Sequence, residues 1–133
     1  MREEIDVGLE NFHPTSFSDP TMRLLNYEGR LLRGVGPAHE QQIRRLFGEG
    51  VVGELMGRRQ LVESKITTMA SRDYPLIVEH KRLRRVTYPT EWCSEALRDA
   101  ALCVLDMQIY LIGVGYTLVD AYPWNVLFER GKP

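Results

Sequence analysis

The sequence has few cysteines and no long apolar run. Cys93 and Cys103 are its two cysteines, and within one helix they would lie about 15 Å apart, which is too far for a disulfide bond. We therefore expect a reduced, cytoplasmic chain without a zinc-type cysteine cluster. No apolar run approaches the roughly 18 residues that cross a bilayer. Residues 1–6 are largely charged and lack the apolar stretch of a secretion signal.

Net charge is also nearly absent. The sequence carries 17 Lys and Arg against 18 Asp and Glu, which gives a net charge of −1. Such a chain has no overall attraction to nucleic acid or to an anionic membrane, and we expect neither as a partner. The basic run at residues 80–85 indicates a solvated face. His13, His39 and His80 are scattered along the chain, so the sequence predicts no metal site.

What the sequence does contain is apolar periodicity, which predicts an α+β fold with a small antiparallel sheet. Residues 1–20, with Pro14 and Pro20, are predicted to form an irregular arm, and residues 21–133 a single domain. The predicted elements are a hairpin at 22–35 whose second strand is broken by Gly34, Gly36 and Pro37, a helix at 38–57 that splits near Gly48, strands at 61–68 and 74–80, a long helix at 90–112, and a strand at 126–129. The apolar stripe of the first helix is Ile43, Leu46, Phe47, Val51, Leu55 and Met56. The predicted buried side of the long helix is Ala96, Leu97, Ala100, Ala101, Val104, Leu105, Gln108, Leu111 and Ile112.

The loop from Asp120 to Asn125 is the main candidate for chemistry. It places an acid and an amide five positions apart between two segments that are predicted to be extended. In phosphoryl transfer, such an acid orients or deprotonates a hydroxyl, and such an amide binds a metal ion. Asp120 and Asn125 are therefore the candidate catalytic residues. The alternative is a turn that is stabilised by hydrogen bonds from Asx side chains.

The order of the predicted elements resembles a compact kinase fold, although most kinase motifs are missing. The first hairpin has no glycine-rich phosphate loop, and Arg33 is the nearest cation in its second strand, with Glu49 or Glu54 on the next helix as its candidate partner. Leu118 and Val119 stand where kinases have His and Arg before the catalytic aspartate. The sequence therefore does not complete a kinase site.

Four further residues flank the loop or the long helix and are candidates for ligand binding. Tyr122 and Trp124 could form an aromatic platform, and packing is their alternative role. Glu91 and Trp92 could line a recognition pocket. For Glu91, the alternative is an acid that is favoured by the dipole at the start of a helix.

Three segments together resemble the N-terminal region of certain bacterial class I S-adenosylmethionine-dependent methyltransferases. They are Tyr88-Pro89-Thr90-Glu91-Trp92, the helix start at residues 93–100, and residues 120–128; residues 16–20 and 27–30 fit more weakly. The resemblance spans residues 15–133. It implies a kinase-like accessory module that precedes a methyltransferase domain. S-adenosylmethionine is then expected for the full-length protein, and no cofactor is expected in this segment.

The first hypothesis is therefore an N-terminal module, non-catalytic by itself, whose partner is a downstream methyltransferase domain. The first alternative is a small nucleotide-binding or phosphotransferase-like protein that uses Asp120, Asn125 and Arg33. The second alternative is a protein-interaction domain. If the chain is truncated, the strand at 126–129 leaves an unpaired edge, which predicts self-association as a homodimer.

Overall fold

The computed structural model describes residues 1–16 and 19–133. Phe17 and Ser18, which belong to the weaker motif at residues 16–20, lie outside the described residues. The chain divides into two compact units: Met1–Gly53 with Val62–Arg82, and Glu54–Leu61 with Leu83–Pro133. The coarse α+β prediction is confirmed, with a small antiparallel sheet and three α-helices.

The first unit is built on a four-stranded antiparallel sheet. Its strands are β2 (Met22–Tyr27), β3 (Arg30–Val35), β6 (Leu76–His80) and β4 (Ser64–Ile66), in the order β2-β3-β6-β4. The predicted hairpin turn is present: Glu28 and Gly29 have φ angles of 49° and 77°, and Leu25 pairs with Leu32 across it. Two residues with positive φ match the right-handed twist of the strands. β4 and β6 are shorter than the predicted strands at 61–68 and 74–80.

The second strand ends at Val35, directly before Gly36 and Pro37 as predicted, but Gly34 does not break it. β3 continues through it to Val35, and Gly34 pairs with Arg23 and Ile77. The absent side chain makes room for an aromatic ring, because a Cβ atom at Gly34 would lie 2.5 Å from Cγ of Tyr74. The glycine therefore serves packing rather than strand termination.

Apolar side chains cover both faces of the sheet. On one face, Leu25, Leu32 and Ile77 form a buried cluster with Tyr74 and Ile5. On the other face, the buried residues are Val35, Leu76 and Val78, and Ile43 and Phe47 of the first helix pack against them. Two residues of the stripe that was predicted for that helix, Ile43 and Phe47, therefore pack on the sheet.

The N-terminal residues join the first unit through backbone pairing. β1 (Glu3–Glu4) runs parallel to β5 (Met69–Ala70), and Ile5, which follows β1, is 6% exposed within the core. Phe12 forms an isolated bridge with Leu25. The predicted arm thus contains a short strand and a core side chain.

The predicted split of the first helix is confirmed. α1 spans Pro37–Gly48 and α2 spans Val51–Gly57. Gly50, between them, has a φ of 80°, a conformation that glycine adopts at little cost. Pro37 is the first residue of α1, where its missing N–H would have no helical partner anyway.

The second unit contains the longest helix, α3 (Ser94–Gly113). It begins four residues later than predicted, because Pro89–Glu91 forms a separate 3-10 turn. Gly115, with a φ of 87°, ends it: Tyr116 N–H donates to Leu111 O over 2.8 Å, and Gly115 N–H to Ile112 O over 3.1 Å. This pair of bonds is a Schellman motif.

The predicted strand at 126–129 is wrong. Residues 126–128 have no regular structure, and Glu129 forms an isolated bridge with Lys132. Arg130 and Gly131, with φ angles of 52° and 75°, make the tight turn that was predicted there. Residues 116–119, predicted to be extended, also lie outside any strand. The argument for self-association from an unpaired terminal strand therefore loses its basis.

The predicted buried side of α3 is only partly right. Ala100 and Leu111 are buried, whereas Leu97, Ala101, Leu105 and Ile112 are exposed. The helix has apolar residues on more than one face, so its periodicity did not determine which of them would be covered.

Candidate functional site

The side chain of Asn125 closes the candidate catalytic loop onto itself. Its Nδ2 donates to the backbone carbonyl of Asp120 over 2.6 Å, and the same carbonyl accepts from Tyr122 N–H over 2.8 Å. Asp120 itself has a φ of 55°, a left-handed conformation that Asp tolerates better than most residues. The loop brings the two residues together through the backbone of Asp120 rather than through its carboxylate.

This geometry has a chemical consequence. The amide nitrogen of Asn125 is engaged, and both residues are exposed at the surface of the second unit. Asx side chains that bond to nearby backbone commonly stabilise turns. The arrangement accounts for the spacing of Asp120 and Asn125 without a ligand, and a catalytic role for them stays a prediction.

Two aromatic pairs join the segment before α3 to the segment that contains the loop. The rings of Trp92 and Phe128 meet edge to face with centroids 4.9 Å apart, and those of Tyr88 and Trp124 lie 5.7 Å apart at a tilted angle. Nε1 of Trp92 also donates to Oγ1 of Thr87 over 3.0 Å. Such ring pairs each contribute about 0.5–1.5 kcal/mol beyond burial. Trp92 is therefore at least partly a packing residue.

The remaining predicted ligand residues of this unit have local roles or face solvent. Glu91 accepts from the backbone N–H of Tyr88 over 2.7 Å and so closes the 3-10 turn. Tyr122 is 63% exposed and Trp124 59% exposed. The carboxylate of Glu54 pairs with Arg58 one turn later, over 2.6 Å. None of these contacts requires a ligand.

Arg33 is the predicted site residue that belongs to the first unit. Its Nε donates to Nε2 of His80 over 3.3 Å. Nδ1 of His80 contacts Oγ of Ser64 over 2.7 Å, and that hydroxyl donates to the carbonyl of Val62 over 2.8 Å. We call Arg33, His80 and Ser64 the sheet triad.

The sequence reasoning missed two members of this triad. Ser64 and His80 are direct partners in the pairing of β4 with β6, and both strands were predicted from their composition. The strands did not reveal their register, however, and so did not show that these polar side chains share a face with Arg33. That pairing is a property of the sheet.

α3 carries a row of exposed apolar side chains, which we call the α3 stripe. Leu102, Leu105, Ile109 and Ile112 are 52%, 56%, 69% and 62% exposed. Their spacing of three, four and three residues is that of a heptad seam, which places them along one side of the helix. Exposed rows of this kind commonly mark contacts with other protein surfaces.

A cavity of about 580 Å³ lies elsewhere, in the first unit. It contains none of the predicted site residues. Its lining residues are Glu4, Ile5, Asp6, Val7, Ser71, Arg72 and Asp73.

Gly113 and Gly115 do not fit a cofactor loop, because they end a helix in the Schellman motif described above. A dinucleotide-type glycine loop should instead follow a strand and open a helix. Within the described ranges, no group of three or more His, Cys, Asp or Glu could hold a metal ion. No helix there is long and apolar enough to cross a membrane.

Comparison with known proteins finds a similarity to a longer protein. The chain is 31% identical over 123 residues to the nodulation protein NoeA of Rhizobium meliloti (strain 1021). The match covers 89% of this chain and 25% of NoeA, so the chain spans about a quarter of the length of that relative. No family model and no solved structure matches the chain.

Proposed function

We propose that this chain is a kinase-like accessory module of an S-adenosylmethionine-dependent methyltransferase, and that it is non-catalytic by itself. The observation that carries the proposal is the α3 stripe, in which four large apolar residues are each more than half exposed. Covering them would remove apolar surface from water, at about 25 cal/mol for each Å². Since exposed apolar rows commonly mark contacts with other protein surfaces, the stripe supports a partner for this module.

The proposed partner is a further domain of the same polypeptide. NoeA extends well beyond the aligned region, which is a quarter of its length. A domain on the same chain has a high effective concentration, so even a narrow apolar contact is sufficient to dock it. The α3 stripe would then hold the module against the domain that carries the chemistry.

The methyltransferase part of the proposal rests on the sequence resemblance. The two main segments that carry it, 88–100 and 120–128, are in contact through Trp92 with Phe128 and Tyr88 with Trp124. A motif whose parts pack together is consistent with one structural unit rather than with separate chance matches. S-adenosylmethionine would bind in the further domain, since Gly113 and Gly115 do not form a cofactor loop here.

The loop geometry supports a non-catalytic role for the module. Nδ2 of Asn125 donates to the carbonyl of Asp120, so the spacing of the two residues is accounted for by a turn. The further domain would supply the reacting groups. Because NoeA is named as a nodulation protein, nodulation is the process in which we would first test the longer enzyme.

The test uses the longest reading frame that contains this chain. In that protein, the double variant Leu105→Ser and Ile109→Ser should expose α3 to protease and lower methyl transfer from S-adenosylmethionine. The matched control is Leu97→Ser, since Leu97 is 49% exposed on the same helix but lies off the stripe. Wild-type protection and activity in the double variant would contradict the proposal. So would a natural stop codon directly after Pro133.

A further inference from the structure

The sheet triad leaves one cation of the first unit without a counterion. Arg33 lies half-buried in β3, between Leu24 on β2 and Val78 on β6. Burying an ionised group is costly unless it is paired. Among the described residues, no carboxylate forms an ion pair with Arg33. Asp19 acts on it only at longer range, and the carboxylate of Asp19 accepts from the backbone and hydroxyl of Thr21.

Arg30, on the same strand, provides the contrast. Its Nε and Nη2 donate to the two carboxylate oxygens of Glu79 over 3.1 and 2.8 Å. Hydrogen bonding to Glu79 raises the pKa of Arg30, whereas burial lowers the pKa of Arg33. Of the two arginines of β3, one is therefore neutralised by a bidentate carboxylate and the other has an uncharged neighbour.

The triad has a defined direction of hydrogen bonding. Burial, aided by the charge of Arg33, lowers the pKa of His80 to about 4, so its imidazole is neutral at pH 7 and has one N–H. Because Arg33 has no acceptor group, Nε2 of His80 must accept from it, and the N–H must be on Nδ1. Nδ1 then donates to Ser64, whose hydroxyl donates to Val62 O.

This direction assigns a different role to each residue. Ser64 accepts a hydrogen bond from the Nδ1–H of His80. His80 therefore cannot take the proton of the Ser64 hydroxyl through Nδ1, and the pair is not a nucleophile with its general base. Instead, the chain of bonds holds Arg33 by its Nε. Its two terminal NH₂ groups have no acceptor among the described residues, and neither is a buried unpartnered atom. Each of these nitrogens therefore retains some accessible surface at which a ligand could bind.

We propose that Arg33 is an oxyanion-binding residue, and that it takes a carboxylate or phosphate group on its terminal nitrogens. His80 and Ser64 are positioning residues that fix the guanidinium through Nε. A planar guanidinium binds two oxygens of such a group in parallel, which gives both strength and orientation. The inference stands independently of the α3 stripe and of the methyltransferase assignment.

The test is a titration of the whole chain with inorganic phosphate and, separately, with acetate. Sodium chloride keeps the ionic strength constant, so that general screening does not change. The Nε–H signal of Arg33 and the ring nitrogen signals of His80 are followed by NMR. We expect saturable shifts of the Arg33 Nε–H signal and of the His80 ring nitrogen signals in the wild type, because Arg33 Nε donates to His80 Nε2. Saturation by phosphate alone identifies a phosphate site, and saturation by acetate alone identifies a carboxylate site.

Variants separate binding from general charge effects. Both variants retain the ring nitrogen signals of His80. In those signals, Arg33→Gln should lose the saturable response, whereas the control Arg82→Gln, at an exposed arginine that contacts Asn26, should keep it. Ser64→Ala should weaken the apparent affinity, because Nδ1 of His80 loses its partner and the ring that holds Arg33 is less firmly fixed. If Arg33→Gln does not fold, Arg33→Lys takes its place, because lysine keeps the positive charge but lacks the planar guanidinium that binds two oxygens in parallel. Its affinity for the anion should be lower than that of the wild type. No saturation by either anion, or unchanged affinity in the Arg33 variant, would overturn the proposal.

Discussion

The side-chain amide of Asn125 donates to the backbone carbonyl of Asp120 over 2.6 Å. The sequence presented these two residues as an acid and a metal-binding amide, with their spacing as the evidence. In the structure the same spacing closes a turn, which ends in the 3-10 segment Pro123–Asn125. A motif of two polar residues in a loop therefore has a structural explanation that must be tested before a catalytic one.

The first prediction concerns this loop. Asn125→Ala should lower the free energy of unfolding by about 1 kcal/mol, because one hydrogen bond to a backbone carbonyl is lost. It should leave calorimetric heats with magnesium-ATP unchanged from the wild type. Asn125→Asp is the companion variant, since an ionised carboxylate cannot donate to the Asp120 carbonyl. Wild-type heats of ATP binding that disappear in Asn125→Ala would instead support the phosphotransferase alternative.

The second prediction concerns Glu79 at low pH. Hydrogen bonds from Arg30 and Lys65 lower its pKa from 4.5 to about 2. Since the pKa of Glu79 is lower in the folded than in the unfolded state, its ionised carboxylate stabilises the fold. This contribution is complete above pH 4.5 and is lost as the pH falls toward 2. We expect about 1 kcal/mol, because the partners are partly solvated. Urea unfolding across this range should show the loss in the wild type and in the exposed control Glu10→Gln. If the free energy of unfolding of Glu79→Gln fell with decreasing pH as steeply as that of the wild type, the result would contradict this prediction.

The third prediction concerns His80, whose pH window is different. Its pKa is lowered from 6.5 to about 4 by burial and by Arg33. The unfolded state therefore binds the proton first, and stability should fall as the pH decreases from 6.5 to 4. An NMR titration of the imidazole should give a midpoint near 4, with no change above pH 6. A midpoint near 6.5 would mean that the ring is solvated and that the sheet triad does not form.

The fourth prediction uses two glycines in opposite environments. Gly34→Ala should destabilise the protein by about 1–3 kcal/mol, because the new methyl group meets the ring of Tyr74. Gly53→Ala is the matched control. It lies within α2, where an added methyl group would have no neighbour within 4 Å, and should stabilise the helix by about 0.5–1 kcal/mol. Thermal unfolding of both variants tests the contrast. Equal effects would argue against the packing of Tyr74 on Gly34.

The fifth prediction is self-association of the isolated chain. The unpaired strand edge that first motivated it is absent, but the α3 stripe supplies another reason. In an antiparallel pair of α3 helices, Leu102 would face Ile112 and Leu105 would face Ile109, so the row is complementary to itself. Light scattering should show a concentration-dependent dimer. The variant Ile109→Lys should be monomeric, whereas Leu97→Lys should not. A monomeric wild type at high concentration would contradict the prediction.

Much of the local structure could be predicted from the sequence. The hairpin turn at Gly29 and the helix break at Gly50 follow from glycine, which adopts positive φ at little cost. The stripe of Ile43 and Phe47 was also recognised, since a single apolar face on a helix has one buried side. Where backbone preferences and apolar periodicity indicate the same element, interactions between residues that are near in sequence are sufficient to predict it.

Other features depended on contacts that are distant in the sequence. Gly34 was predicted to break a strand because the ring of Tyr74, forty positions away, was not visible in the pattern. The strand at 126–129 failed because its alternation had no neighbouring strand with which to pair. On α3, several faces were apolar, and the pattern could not show that Leu105 and Ile112 would remain exposed.

The candidate residues divide in the same way. By itself, the sequence determined the α+β class, the helix break and the hairpin turn, and it singled out Asp120, Asn125 and Arg33 but not Ser64 and His80. Only the tertiary structure decided that Asn125 bonds to Asp120 and that Arg33 meets His80 and Ser64. The physical reason is register: strand pairing and loop closure set which side chains share a face, and a one-residue shift in a strand would separate them.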